Sequence, residues 1–359
     1  LCGLATSLNQ MVAFRLLQGV MGAFIMPLSQ TVMMDINPKS RQASAMAIWG
    51  MGVMIGPILG PVIGGWLTEY YNWRWCFYVN VPIGIGCFAI LWALLPTREQ
   101  SIRRFDIFGF AMLAIALSSF QLMLDRGQTM DWFSSWEVRI EAIVMVSAAW
   151  MFGIHMATAR EPMFDRHIFA NRNLMMGMLF MAVNGMLMTA TLALLPPLLQ
   201  GLYGYPVLTT GVLLMPRGVG ILISMFVTSR LIARGMDPRI LVALGLIVAA
   251  QSLHQMSGWS PEMGSTPFIV SGLVQGLGMG LVFMPLNLLA FATLPPKYRT
   301  DGSSLLTLFR SIGGSAGISL VTVMLARNVQ VNHMELGGKV TGYSISSVDP
   351  GMASALGSA

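Results

Sequence analysis

Gly56-Pro57-Ile58-Leu59-Gly60-Pro61-Val62-Ile63-Gly64-Gly65 places two Gly-Pro steps four residues apart inside an apolar run. A water-soluble helix does not tolerate this. Each interior proline removes a backbone hydrogen bond and costs about 3 kcal/mol. In a membrane, neighbouring helices and local backbone adjustment compensate such defects. Gly56, Gly60 and Gly64 recur every four residues and share one helix face. The backbone is bare there, so a partner helix can approach closely. The stretch predicts a bent membrane helix, packed on its glycine face and able to act as a hinge.

The rest of the chain agrees. It has 359 residues, 55% of them hydrophobic and 10% charged, where a soluble domain carries about 25% charged residues. Ten apolar runs are long enough to span a bilayer: about 10–33, 43–68, 79–95, 107–125, 138–157, 174–199, 208–228, 240–258, 267–294 and 302–326. The expected class is an all-α polytopic membrane protein. Residues 1–5 read as the tail of an earlier helix, and the first residue is not Met. The chain is therefore expected to be a fragment that begins inside the fold.

The net charge is +6, and its placement gives the orientation. Cytoplasmic loops are rich in Lys and Arg. The alternate segments 34–42, 96–106, 158–173, 229–239 and 295–301 hold thirteen basic residues, and the opposite loops and ends hold five. The first set is assigned to the cytoplasm. Membrane orientation accounts for the basicity, so nucleic-acid binding is not expected. Cys2, Cys76 and Cys87 form no pattern, and the four histidines show no metal spacing. No cofactor or metal is expected. An intramembrane enzyme would need a nucleophile and base, or a metal cluster, at membrane depth; the sequence offers neither.

The chain repeats itself. Gln18-Gly19, six residues, Met26-Pro27-Leu28, nine residues, Pro38-Lys39-Ser40-Arg41 is matched by a second block. That block reads Gln275-Gly276, seven residues, Met284-Pro285-Leu286, nine residues, Pro296-Lys297-Tyr298-Arg299. Both copies run down a span into a basic turn, so they are parallel repeats. Such repeats mark two pseudo-symmetric transporter halves with the substrate site between them near mid-membrane. The spans at 107–125 and 138–157 are the candidates for a pair inserted between the halves. The linker 158–173, with Met163, Phe164, Ile168 and Phe169 beside Asp165, Arg166 and His167, is expected at the cytoplasmic interface.

These features together resemble the drug:proton antiporters of the major facilitator superfamily, specifically the fourteen-helix EmrB/QacA group. Arg15-Leu16-Leu17-Gln18-Gly19 is similar to the group's fourth-helix motif, and residues 56–65 to its fifth-helix antiporter motif. Trp73-Arg74-Trp75, Phe77, Asn80, Pro82 and Gly84 match the entry to the sixth helix. Leu124-Asp125-Arg126-Gly127 and Asp131-Trp132-Phe133-Ser134-Ser135 resemble the EmrB branch, and Phe309-Arg310-Ser311-Ile312-Gly313-Gly314-Ser315 the thirteenth helix. The resemblance implies a fragment covering about helices 4 to 13. Residues 1–95 would belong to the N-terminal half and 96–172 to linkers and the inserted pair. Residues 173–326 would belong to the C-terminal half, and 327–359 to an extracytoplasmic loop. It implies a coupling acid on a first helix outside the chain. It also implies partners: a periplasmic adaptor of the EmrA type and an outer-membrane channel of the TolC type. Ala233, where the family's loop motif often has Asp, departs from the pattern.

Intramembrane charge is costly, so Arg15, Arg217 and Arg310 each need a partner or water. Arg15 reads as a proton-coupling residue that tunes a nearby carboxylate, or as a snorkelling anchor. Arg217 and Arg310 read as pocket groups or as ligands of free helix carbonyls. Gln18 and Gln275 occupy equivalent repeat positions, where interhelical hydrogen bonding competes with a pocket role. Gln30, Asn184 and Asn287 are mid-span polar candidates, Met26 is a flexible pocket wall, and Trp49 is an aromatic beside substrate. Gly56, Pro57, Gly60, Pro61, Gly64 and Gly65 are the gating motif. The expected function is proton-coupled export of hydrophobic or amphipathic drugs from the bacterial cytoplasm across the inner membrane. The alternative is export of a defined metabolite, such as a fatty acid or siderophore, on the same scaffold.

Overall fold

Polar caps at the edges of the apolar runs set the helix starts. The computed structural model describes residues 1–38, 41–94, 105–260 and 262–339. In it Ser7, Asp106, Ser135, Asn171 and Asp237 each accept a hydrogen bond from a backbone N–H two or three residues on. Each satisfies a donor that the first helical turn leaves orphaned. The helices are α1 (Leu8–Gly22), α2 (Ile25–Asp35), α3 (Gln42–Tyr70), α4 (Trp75–Tyr78), α5 (Asn80–Leu94), α6 (Ile107–Gly127) and α7 (Trp136–Thr158). They continue as α8 (Arg166–Phe169), α9 (Arg172–Gly201), α10 (Val207–Ala233), α11 (Pro238–Ser257), α12 (Thr266–Phe291) and α13 (Arg299–Lys339). No strand occurs among the described residues. Ten helical stretches there are long and apolar enough to cross a membrane, with α1 and α2 forming one and α4 and α5 another.

One boundary differs from expectation. The segment after 326 continues as helix to Lys339. No glycine or proline interrupts it before Gly337, so nothing stops the helix where the apolar run ends.

Bare backbone decides which helices touch. Lipid tails are as apolar as Leu, so close van der Waals contact drives association. α12 is the central strut. A Cβ on Gly276 would overlap the Arg217 carbonyl of α10, and one on Gly278 would lie 2.7 Å from the Ala249 amide of α11. A Cβ on Gly313 of α13 would likewise overlap Ala182 of α9.

α3 packs along α10, but not through the face expected. A Cβ on Gly56 or Gly60 meets nothing within 4 Å, and one on Gly64 reaches only Cys76 Sγ at 4.0 Å. Contact runs instead along Met54, Ile58, Pro61 and Gly65. Ile58 fills the space left by Gly218, the Pro61 carbonyl lies against Gly211, and Gly65 sits on the Leu208 backbone at 3.4 Å. The glycines that admit close approach come largely from α10. A four-residue pattern on α3 alone does not report them. α3 also runs unbroken through both prolines.

The described parts of the basic loops converge at one end; residues 39–40 and 96–104, which belong to two of the segments assigned to the cytoplasm, lie outside the described residues. Arg299 pairs with Asp35 at 2.9 Å. Asn171 Nδ2 donates to the Thr293 carbonyl at 3.1 Å, and Tyr298 donates its hydroxyl to Asp165 at 2.5 Å. That hydrogen bond, joined by those from His167, holds the Asp165 carboxyl well below the usual carboxylate range. The linker's Phe164 and Ile168 are buried beneath it. Asp106 ties α6 to the same linker by accepting from the Met163 amide, and it pairs with His155 of α7 at 2.9 Å. Burial pushes the Asp106 carboxyl up, but hydrogen bonds from Gly109, His155 and Met163 outweigh it and the net shift is downward. The convergence matches a single cytoplasmic face for these loops. A single cysteine at Asn171, in a cysteine-free background, should therefore resist a membrane-impermeant thiol reagent in intact cells. Labelling from outside would reverse the orientation.

Candidate functional site

The two repeats meet about one turn from the basic ends of their helices, not at mid-span as the sequence suggests for Gln30 and Asn287. Gln30 lies one turn beyond Met26 in α2, and Asn287 lies just beyond Met284 in α12. Gln30 Nε2 donates to Asn287 Oδ1 at 2.8 Å, with both side chains buried. Ser303 of α13 donates to Gln30 Oε1, and Asn287 Nδ2 donates to the Phe283 carbonyl at 2.7 Å. Both ends of each amide are thus satisfied away from water, as a buried polar group requires. Nearly equivalent positions of the two copies face each other, as a pseudo-twofold axis demands.

Aromatic and cationic groups surround this cluster. Trp49 of α3 stacks on Phe283 of α12, with ring centres 6.2 Å apart and planes inclined by 11°. Its indole N–H donates to Ser29 Oγ at 2.9 Å. Arg310 of α13 reaches Met26 Sδ at 3.1 Å and lies 5.9 Å from the Phe283 ring centre, within cation–π range. With Met181, Leu306 and Thr307 these side chains enclose a cavity of only about 10 Å³. The site offers two amides, one permanent cation, one indole and flexible thioethers. That set can grip a mostly apolar guest of varied shape and orient one polar group. In this state the halves are closed over it.

The structure sorts the sequence candidates into three places. Met26, Gln30, Trp49, Asn287 and Arg310 line this one cavity. Asn184, Gln275 and Arg217 lie deeper in the second half. Asn184 contacts Met279 Sδ at 3.6 Å, Gln275 donates to Thr191 Oγ1 at 3.1 Å, and Arg217 donates to the Met188 carbonyl at 3.1 Å. Gln18 belongs to neither place. It accepts from Arg15 at 3.2 Å and from Cys2 Sγ at 3.5 Å near the start of the chain. Arg15 also lies over the Phe77 ring at 4.8 Å, with an exposed side chain. The repeat thus aligns Gln18 with Gln275 in sequence, while their surroundings differ.

Sequence reading missed Ser29, Phe283, Ser303 and Thr307. A serine in an apolar run carries no signal by itself, because its hydroxyl is satisfied equally by its own helix. Among the described residues no group of three or more His, Cys, Asp or Glu side chains could hold a metal ion.

Comparison with known proteins bears on this geometry. Residues 1–318 match the model of the Major Facilitator Superfamily. The chain is 34% identical to the multidrug export protein EmrB of Escherichia coli K12 over 346 residues, 96% of the chain and 67% of that protein. It is 33% identical to EmrB of Haemophilus influenzae, covering 96% of the chain and 68% of that protein. It is 31% identical to the fatty acid resistance protein FarB of Neisseria gonorrhoeae, with the same coverage of 96% and 68%.

Proposed function

The chain belongs to the Major Facilitator Superfamily, and from that premise we propose that it exports hydrophobic and amphipathic drugs from the bacterial cytoplasm, across the inner membrane, in exchange for protons. The observation that carries the reading is the buried Gln30–Asn287–Ser303 cluster where the two repeats meet. It joins the two halves on the basic side of the cavity that Met26, Trp49, Phe283 and Arg310 line, so making and breaking it can control access to that cavity. The similarity to multidrug export proteins named EmrB supports the substrate range.

Alternating access follows from the contacts. Asp35–Arg299 and the cluster above hold the basic end shut. Breaking them opens the cavity to the cytoplasm, and reforming them commits the guest to the outside. The α3–α10 seam, where Gly211 lies against the Pro61 carbonyl, lets the halves rock without parting. Gly56, Pro57, Gly60, Pro61, Gly64 and Gly65 belong to this reading as the gating motif, with Gly65 and Pro61 making the contact. An adaptor of the EmrA type and a channel of the TolC type belong to the same proposal, since a drug released into the periplasm can re-enter the membrane. A second reading, export of a fatty acid, is favoured by the similarity to FarB.

Arg15 is the proposed coupling residue. Its charge is permanent, so it would act by favouring the ionised form of the carboxylate that the family resemblance implies on a first helix, and by responding when that acid is neutralised. Arg15→Ala is expected to lower proton-driven export by about a hundredfold or more while drug binding persists, a coupling loss of roughly 3 kcal/mol. Undiminished efflux by a folded Arg15→Ala variant would reduce the residue to an anchor.

A further inference from the structure

Arg217 has more donors than partners. It lies ten residues into α10, about 15 Å along the helix and thus at membrane depth. The residue is 5% exposed. Nη2 donates to the Met188 carbonyl at 3.1 Å, whereas Nη1 is buried without a hydrogen-bond partner. The guanidinium borders a cavity of about 30 Å³ whose other walls are Met54, Ile58, Met188, Leu192, Leu214 and Ile221, with Gly218 between them. Arg217 is the one charged group in that lining.

The charge has no way out. A guanidinium does not lose its proton in a protein, so burial cannot be relieved by neutralisation. The backbone is pinned, because Gly276 packs directly on the Arg217 carbonyl and Gly218 on Ile58. A cation fixed at this depth, with a spare donor and an apolar cavity beside it, is complementary to an anion. The fork of two N–H groups fits the two oxygens of a carboxylate best. The cavity has room for such a head group, and its walls are hydrocarbon and thioether. Met54 and Met188 are flexible enough to part for a tail. Met54 and Ile58 come from α3 and Met188 and Leu192 from α9, so an anion seated here touches both halves.

We propose that Arg217 seats the carboxylate of amphipathic monoanions, acids with a hydrocarbon tail, as one substrate class of the exporter. The assignment rests on the export reading above and narrows it.

The test uses the protein reconstituted in liposomes, with decanoate, neutral decanol and the lipophilic cation tetraphenylphosphonium as probes. Wild type is expected to export decanoate and tetraphenylphosphonium, and decanoate should raise its melting temperature where decanol does not. In Arg217→Gln the half-saturating concentration of decanoate should rise about tenfold or more, the size expected for losing a hydrogen bond to a charged group. Tetraphenylphosphonium export should stay within about twofold, and Arg217→Lys should retain part of the decanoate response. Equal loss of both substrates in Arg217→Gln would overturn the proposal, because Arg217 would then serve the fold or the transport cycle as a whole and not one head group. An unchanged decanoate response would overturn it too. So would equal stabilisation of wild type by decanoate and decanol, a result that needs no variant to fold. Wild type that exports tetraphenylphosphonium but neither binds nor exports decanoate would sink the head-group assignment and leave the export reading standing. Export of neither probe would sink both.

Discussion

Asn287→Leu is expected to cut export by at least tenfold while the protein still inserts and folds. Asn287 Oδ1 accepts from Gln30 Nε2 at 2.8 Å, and both residues are buried. Leucine fills a similar volume, so no large cavity opens. It removes the acceptor and leaves the Gln30 amide N–H buried without a partner, which costs about 1–3 kcal/mol. Insertion does not suffer, because leucine is the more apolar residue. The cost falls on the state in which the halves are joined, and a shift of that size changes the balance of states by about 5–150-fold. The double variant Gln30→Leu/Asn287→Leu removes both polar groups and should be less impaired than the sum of the two single changes. Export assays with each variant check this. Additive losses would show that the two side chains do not act together.

Gly211→Leu is expected to have the larger effect on structure. A Cβ there would lie 2.9 Å from the Pro61 carbonyl oxygen and 3.2 Å from the Val62 amide nitrogen, so α3 and α10 must move apart. Overpacking of this kind costs about 1–3 kcal/mol, and here the obstacle is backbone, which yields least. Transport should fall to background, and the melting temperature in detergent should drop by several degrees, roughly the shift that about 1–2 kcal/mol produces in a chain of this size. Gly60→Leu is the contrast. Its Cβ meets nothing within 4 Å, so its melting temperature should stay near wild type. A stable Gly211→Leu beside an unstable Gly60→Leu would return the packed face of α3 to the one its own glycines suggest.

That contrast shows what the sequence could and could not reveal. Hydrophobic runs locate the spans well, because a bilayer sets a minimum length that composition alone can meet. The parallel repeat built on Met26-Pro27-Leu28 and Met284-Pro285-Leu286 marks the helices that carry Gln30 and Asn287, and polar residues inside an apolar run flag themselves; their depth, about one turn from the basic end, is read only from the helix bounds. Which face of α3 meets α10 is a property of two helices. Ile58 fits because Gly218 is opposite it, and no pattern within α3 encodes Gly218. Ser303 closes the amide cluster for the same reason, since its role depends on α2 lying across from it. Gln18 and Gln275 show the limit of repeat symmetry. One lies beside Arg15 near the start of the chain, and the other is fully buried against Thr191.

Proton movement tied to drug movement is the most direct test of the account. The protein is reconstituted in liposomes with an acidic interior, oriented so that its basic end faces outward, and the internal pH is followed as drug is added outside. Antiport predicts that drug enters as protons leave, so the interior turns alkaline at a rate that saturates with drug. A protonophore that collapses the gradient beforehand should abolish drug accumulation. Drug accumulation with no change in internal pH, or protons travelling in the same direction as the drug, would contradict proton-coupled export.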